Sequence, residues 1–425
     1  MSRLNKWRPF FYGISEFGPA GIDIFLKVYL LLYFNQIMGL SATYTSVAIG
    51  LSVLWDALID PLIGVYSDNY YRRNRQRKNI LYLALCFIAL LFYLLWNTNS
   101  ANQWVSLALL FFLSSLLNSA ISLFSVPFYA VANDLERDNE QRKKWIGWRL
   151  AFFNLGSFMG LVIPAYYLTQ SKSNLKAEPY LKSVYFLTAM TVIFTTLSVF
   201  LTYYKQETPA QLSNLDMKSV SIKTLIKDRR FLQIILSFFI VNCGLGLNSS
   251  LALYYYKGYL EFTEKQTQII LVGFLLIFTL SIPLWIYLTR HFDKKKLIIT
   301  GAALLGAITC FTFPHFKGVD FLIIFTIACG VGGVLVGVAV VLEIFLSEFL
   351  REKEDQMQTS VSGQYLGLWK MSSKISRAVA IALAGPIIEA ASGKPQLLAN
   401  FFGWGVGFFF LLSALIMTIS IDKKS

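Results

Sequence analysis

Long runs of apolar residues fill the chain, separated by short polar breaks that hold most of its charge. Twelve runs stand out, at about 10–38, 41–67, 79–97, 103–133, 145–169, 182–204, 231–257, 266–289, 297–315, 320–348, 359–391 and 398–421. Each approaches or exceeds the ~20 residues a helix needs to cross a ~30 Å hydrocarbon core. None breaks into the ~10-residue alternating pieces of a membrane barrel. Backbone groups in lipid must find partners within their own segment, so the runs predict helices. The pattern therefore predicts an all-α integral membrane protein with twelve transmembrane helices.

The breaks order these helices. The longest, Lys205 to Arg230, leaves six runs on either side. It predicts an N-terminal six-helix half at 1–204, a cytoplasmic central linker at 205–230 and a C-terminal six-helix half at 231–425. Pro61-Leu62, then Tyr66 and a basic loop, returns as Pro283-Leu284, Tyr287 and a second basic loop about 222 residues later. Such an echo suggests a parallel duplication. Arg72, Arg73, Arg75, Arg77 and Lys78 follow run 2, and Arg137, Arg142, Lys143 and Lys144 follow run 4. Lys218, Lys223, Lys227, Arg229 and Arg230 precede run 7, and Arg290, Lys294, Lys295 and Lys296 follow run 8. The odd-numbered breaks, such as Asn97 to Gln103, are short and poorer in Lys and Arg. Basic loops stay cytoplasmic, which places both termini there and requires an even number of spans. The expected location is a bacterial inner membrane. Met1 to Arg8 is basic and leads into a long span with no small-residue cleavage site, so it is read as the first membrane helix and not as a removable leader.

Composition narrows the function classes. Hydrophobic residues make up 56% of the chain and charged residues 15%, against roughly 25% charged in soluble domains. This excludes a soluble globular enzyme, a disordered chain and a disulfide-rich secreted domain. A net charge of +14 would ordinarily suggest nucleic acid. Here the positive charge lies in loops between membrane runs, so its expected partners are lipid headgroups and no nucleic acid. Cys86, Cys243, Cys310 and Cys329 form no C-x-x-C pair, and only His291 and His315 could serve a His-based centre. No cofactor is expected. Gly330, Gly332, Gly333 and Gly337 in run 10 lack the Lys-Ser/Thr of a phosphate loop and suit helix packing. Any driven process must therefore draw on an ion gradient.

Ionisable residues inside the runs carry the most information, since each costs at least ~2.5–3.5 kcal/mol to insert. Asp56 and Asp60 stand four apart in Trp55-Asp56-Ala57-Leu58-Ile59-Asp60-Pro61, on one helix face. Two carboxylates so placed repel unless a proton or a hard cation such as Na⁺ joins them. The alternative has Asp60 capping a helix break and Asp56 paired with a Lys. Asp23 and Lys27, also four apart, form either a self-neutralising pair or a polar cavity wall, with Glu16 nearer the cytoplasmic end. Ser122 and Ser125 in run 4 either offer hydroxyl ligands toward run 2 or bond to their own helix. Arg149 behind Trp145 and Trp148 either snorkels to the interface or reaches a substrate. Run 11 holds Trp369, Lys370, Lys374 and Arg377. Their expected counter-charges are Asp56, Asp60 or Glu343, with snorkelling as the alternative.

Four stretches resemble one family. They are Gly39-Leu40-Ser41, the segment Trp55 to Gly64, Val126-Pro127-Phe128-Tyr129-Ala130 with the loop on to Arg149, and Lys374-Ile375-Ser376-Arg377-Ala378. On these the chain resembles the glycoside–pentoside–hexuronide:cation symporters of the major facilitator superfamily, of which the melibiose carrier is the familiar example. The resemblance implies the major facilitator fold. It implies a cation site at Asp56 and Asp60, with Ser122 as a hydroxyl ligand and Lys374 reaching the carboxylates. It implies a solute site with Arg149 near the sugar and Tyr129 under its ring. Three positions depart from the galactoside pattern. Ser125 stands for a helix-4 aspartate, Ala20 for a helix-1 aspartate (with Asp23 three residues later), and Val53 for an arginine. Lys27, Arg149 and Lys374 suit an anionic solute, and animal lysophosphatidylcholine carriers resemble the same family.

The expected function is secondary active transport, a Na⁺- or H⁺-coupled symport of a sugar, glycoside or sugar-acid-like solute by alternating access. Its residues are Asp56, Asp60, Ser122 and Ser125 for the cation and Asp23, Lys27, Tyr129, Arg149, Trp369 and Lys374 for the solute. Asp68 with Arg72 and Arg73 is expected to latch the cytoplasmic side. The competing readings are a lysophospholipid or amphiphile carrier, a membrane sensor without flux, and an integral membrane enzyme. The last lacks a nucleophile–base pair or metal cluster. A monomer is expected.

Overall fold

The computed structural model describes residues 2–74, 76–98, 100–135, 139–170, 176–203, 228–357 and 362–419. Arg75, Arg137, Lys218, Lys223, Lys227 and the linker through 227 lie outside them. Among the described residues twelve helices are long and apolar enough to cross a membrane. They are α1 Trp7–Ile37, α2 Ala42–Asn74, α3 Lys78–Asn97, α4 Gln103–Ala132, α5 Lys144–Gln170 and α6 Glu178–Tyr203. The second six are α7 Arg229–Tyr259, α8 Glu264–His291, α9 Lys294–His315, α10 Phe321–Lys353, α11 Tyr365–Ala390 and α12 Pro395–Thr418. Main-chain contacts divide the chain into two compact units, Met1–Ser213 and Asn214–Ser425.

Each unit packs its helices in the same order. In the first, α1 lies on α5 and α6, α2 on α4, and α3 on α4 and α6. In the second, α7 lies on α11 and α12, α8 on α10, and α9 on α10 and α12. The loops repeat as well. Span α1 ends in a π-helical turn, Tyr33–Ile37, and α7 in another, Tyr255–Tyr259. The Met38 N–H donates to Tyr33 O at 3.0 Å and the Leu40 N–H to Phe34 O at 3.0 Å. Leu260 and Phe262 do the same to Tyr255 O (3.1 Å) and Tyr256 O (3.0 Å). Both corners then need a left-handed residue, Gly39 at φ 71° and Glu261 at φ 57°. Glycine adopts that conformation without steric cost, and glutamate does not.

Helix contact relies on small residues, because lipid offers little hydrophobic drive for helices to associate. In the first unit a side chain at Gly13 would strike the Trp148 backbone, and one at Gly156 the Phe17 carbonyl, so α1 and α5 touch main chain to main chain. In the second, Gly332 abuts Phe274, Gly333 abuts Ser281 and Gly337 lies under the Trp285 ring. The Trp285 indole N–H donates to Gly333 O at 2.8 Å. The glycine run of α10 is thus a groove that receives α8.

Candidate cation and solute site

Spans α2 and α4 run in the same direction, so polar residues spaced alike along them meet at successive levels. The Asn118 amide donates to Ser52 O at 3.3 Å. The Trp55 indole N–H donates to the Ser119 hydroxyl at 2.9 Å. One turn further in, the Ser122 hydroxyl donates to Asp56 Oδ1 at 2.7 Å, with both residues buried. Beyond that, Gly64 faces Val126 with room for a Cβ at 3.9 Å. Asp60 is half-buried one turn after Asp56, just ahead of Pro61. Ser125 is half-buried three residues after Ser122. A hydrogen bond to a carboxylate is worth ~1.5–3 kcal/mol, and here it fixes the rotamer of Asp56. The result is a fixed carboxylate oxygen, a hydroxyl oxygen beside it, and a second carboxylate a turn away. These are hard oxygen donors of the kind a small cation takes. No cluster of three or more His, Cys, Asp or Glu suited to a metal ion occurs among the described residues.

The solute candidates fall into groups. Lys27 Nζ lies 2.5 Å from Asp23 Oδ2, each side chain one-third exposed, so these two satisfy one another along α1. The Arg149 guanidinium carbon sits 4.1 Å over the centre of the Tyr129 ring. A cation over an aromatic face gains roughly 0.5–2 kcal/mol, depending on how dry the place is. Glu16 lies close enough to both for Tyr129 and Arg149 to act on its carboxyl group. Glu16 is only 4% exposed, although its sequence position suggests a residue near the cytoplasmic edge. The signal was present as a charge within an apolar run. What spacing does not reveal is that the helix breaks there and turns Glu16 inward.

In the second unit, Trp369 is buried with its ring stacked on Phe238, centroids 3.5 Å apart. Its large face is spent on packing α11 against α7. Lys374 is half-buried five residues further along α11.

Asp68 pairs within the first unit with Arg77, Nη2 to Oδ1 at 3.0 Å. Arg72 and Arg73 are exposed on the last turn of α2. Within the first unit the cation beside Asp68 is thus Arg77. The Arg77 side chain is buried, also donates to the Ser67 hydroxyl and lies 4.7 Å over the Tyr71 ring. Arg77 reads in sequence as one of five cations in a loop, with nothing to single it out.

A family model described as MFS/sugar transport protein matches residues 11–400. Among curated relatives, the uncharacterized symporter YnaJ of Bacillus subtilis is 25% identical over 68% of this chain and 62% of its own. The sodium-dependent lysophosphatidylcholine symporter 1 of Gallus gallus is 20% identical over 66% of this chain and 58% of its own. The chain thus spans less than two thirds of the length of these relatives. Among solved structures, the nucleoside transporter NupG superposes with a TM-score of 0.68 at 12% identity, covering 97% of this chain and 98% of its own. A D-xylose–proton symporter superposes with a TM-score of 0.69 at 14% identity, covering 97% of both chains.

Proposed function

From the premise that the chain belongs to the MFS/sugar transport protein family, we propose that it is a cation-coupled secondary active symporter. The observation that carries this reading is the buried Asp56 carboxylate, held by the Ser122 hydroxyl at 2.7 Å with Asp60 one turn away. A bound Na⁺ or proton offsets the repulsion of the two acids. Binding orders the face of α2, and the solute site benefits by the same coupling free energy. Ser122 supplies a hydroxyl oxygen and Ser125 a second. Tyr129 and Arg149 form the solute contact in the first unit, beside the Asp23–Lys27 pair. In the second unit Lys374 is a cationic solute contact, and Trp369 a supporting surface for it.

The solute is a sugar, glycoside or sugar acid, and its path is alternating access between two six-helix halves. Both termini are cytoplasmic, the membrane is a bacterial inner membrane, basic loops meet anionic headgroups, and the unit of function is a monomer. No chemical step is catalysed. One of the relatives above favours a specific alternative. The name of the Gallus gallus relative supports a lysophospholipid as solute and Na⁺ as coupling ion. The D-xylose–proton symporter matches in fold alone.

The experiment is counterflow and uphill uptake in proteoliposomes, with melibiose, glucuronate, a sulfonated hexose and lysophosphatidylcholine offered in turn. Asp60→Asn abolishes accumulation against a gradient of the solute that the wild type concentrates. Concentrative uptake by that variant at the wild-type level places the coupling site elsewhere.

A further inference from the structure

Span α1 is broken at Ser15–Glu16, and its own sequence causes the break. Pro19 has no N–H to donate to the Ser15 carbonyl four residues back. The Thr195 hydroxyl of α6 donates to that carbonyl instead, at 3.4 Å, and the Ser198 hydroxyl donates to Phe11 O. The Ser15 and Glu16 N–H groups close tight turns onto Tyr12 O (3.2 Å) and Gly13 O (3.0 Å). Glu16 begins the following helix without capping it. Glu16 is buried within the electrostatic reach of Tyr129 on α4 and Arg149 on α5, and the Arg149 guanidinium carbon lies 4.1 Å over the Tyr129 ring. The close glycine contacts at Gly13 and Gly156 hold α1 against α5, the two spans that carry Glu16 and Arg149.

Asp23, on the same span as Glu16, is held by Lys27 at 2.5 Å. Span α6 presents the hydroxyls of Thr191, Thr195 and Ser198. Glu16 and Arg149 therefore balance one another in a place where an unbalanced charge costs several kcal/mol. A singly charged oxyanion that docks on Arg149 beside an ionised Glu16 leaves the set one negative charge in excess, and a dianion such as sulfate leaves two. A proton on Glu16 removes one of these charges.

We infer that Glu16 is a resident counter-anion of Arg149, whose place is taken by an oxyanion of the solute (carboxylate, sulfonate or phosphate) as the Glu16 carboxylate binds one proton from water. The inference rests on the reading of Arg149 as the solute contact and adds the solute's charge class to it. It is independent of the Asp56–Asp60 site.

The test uses the full chain in detergent. Its thermal midpoint is titrated with choline sulfate at pH 8 and pH 5.5, with ionic strength held by choline chloride. A ligand raises the midpoint in proportion to its occupancy. The half-saturating sulfate concentration of the wild type falls at least tenfold at the lower pH. Glu16→Gln reaches the low-pH value at both pH values. Arg149→Gln loses the response and sets the baseline for general salt effects and for His291 and His315. A wild-type midpoint that ignores sulfate, a half-saturation that does not move with pH, or a Glu16→Gln profile that tracks the wild type overturns the inference. Should Glu16→Gln fail to fold, the wild-type pH series against Arg149→Gln decides it. Glucuronate and lysophosphatidate, run in the same way, separate a soluble solute from a lipid headgroup. Whichever binds, a pH dependence that Glu16 carries supports the inference, and one that persists in Glu16→Gln contradicts it. Because no transport is measured, this outcome and that of the Asp60→Asn uptake assay fail or succeed separately.

Discussion

At the scale of single residues, the hydroxyl of Ser122 is the part of the candidate cation site whose contribution is easiest to isolate. It makes one hydrogen bond, 2.7 Å to Asp56 Oδ1, and Ser122→Ala removes that bond with little change in volume. The expected loss is ~1.5–3 kcal/mol. It appears as a weakening of about tenfold or more in cation affinity, since tenfold is about 1.4 kcal/mol. Unchanged affinity in a cation titration of the variant would mean that Ser122 only positions the acid in the empty site. The acids themselves were legible from sequence, because charge inside an apolar run has few structural reasons to be there. The partners of charged side chains were legible only in part. Ser122 was tied to the acids of α2 by the family resemblance, since a serine in a membrane helix can equally bond to its own preceding turn. Glu16 with Arg149, and Arg77 with Asp68, depend on a helix break and on a contact between the end of α2 and the start of α3. Neither feature leaves a periodic trace.

At the scale of helices, the apolar runs gave the existence and order of all twelve spans, since insertion itself requires them. Their ends were less legible. The second run reads as stopping at 67, yet α2 continues to Asn74, because a helix that has left the apolar layer goes on in polar residues. The π-helical turns and the break at Ser15–Glu16 were not visible either, since hydropathy is blind to one residue more or less in a turn. The glycines of α10 read correctly as a packing surface, though what they receive did not. Gly337 lies under the Trp285 ring with no space for a methyl group. Gly337→Ala is expected to destabilise the second unit by ~1–3 kcal/mol through overpacking. Trp285→Leu in the same chain should recover part of this, because contacting residues are coupled. Thermal unfolding of the single and double variants checks the point. Strictly additive losses would show that α8 and α10 do not meet through this pair.

At the scale of the whole molecule, the chain is one six-helix plan used twice. The proline echo between Pro61 and Pro283 hinted at it, and the common packing order of α1–α6 and α7–α12 makes it explicit. The repeats have diverged in charge. The first carries Glu16, Asp23, Asp56 and Asp60 within its spans, and the second carries Lys370, Lys374 and Arg377 on α11. The first copy also holds Lys27 and Arg149 and the second Glu343, so acids are in excess in the first copy, which suits a carrier that uses a small cation to set the charge of its interior. The central claim is that the two α2 acids are where that cation binds. The most direct measurement is thermal stability across Na⁺ and Li⁺ concentration and pH, for the wild type and for the Asp56→Asn, Asp60→Asn double variant. The account predicts that the cation or proton that stabilises the wild type raises the midpoint of the double variant by no more than a tenth as much. A wild type stabilised by none of them, or a double variant that responds as the wild type does, would contradict it.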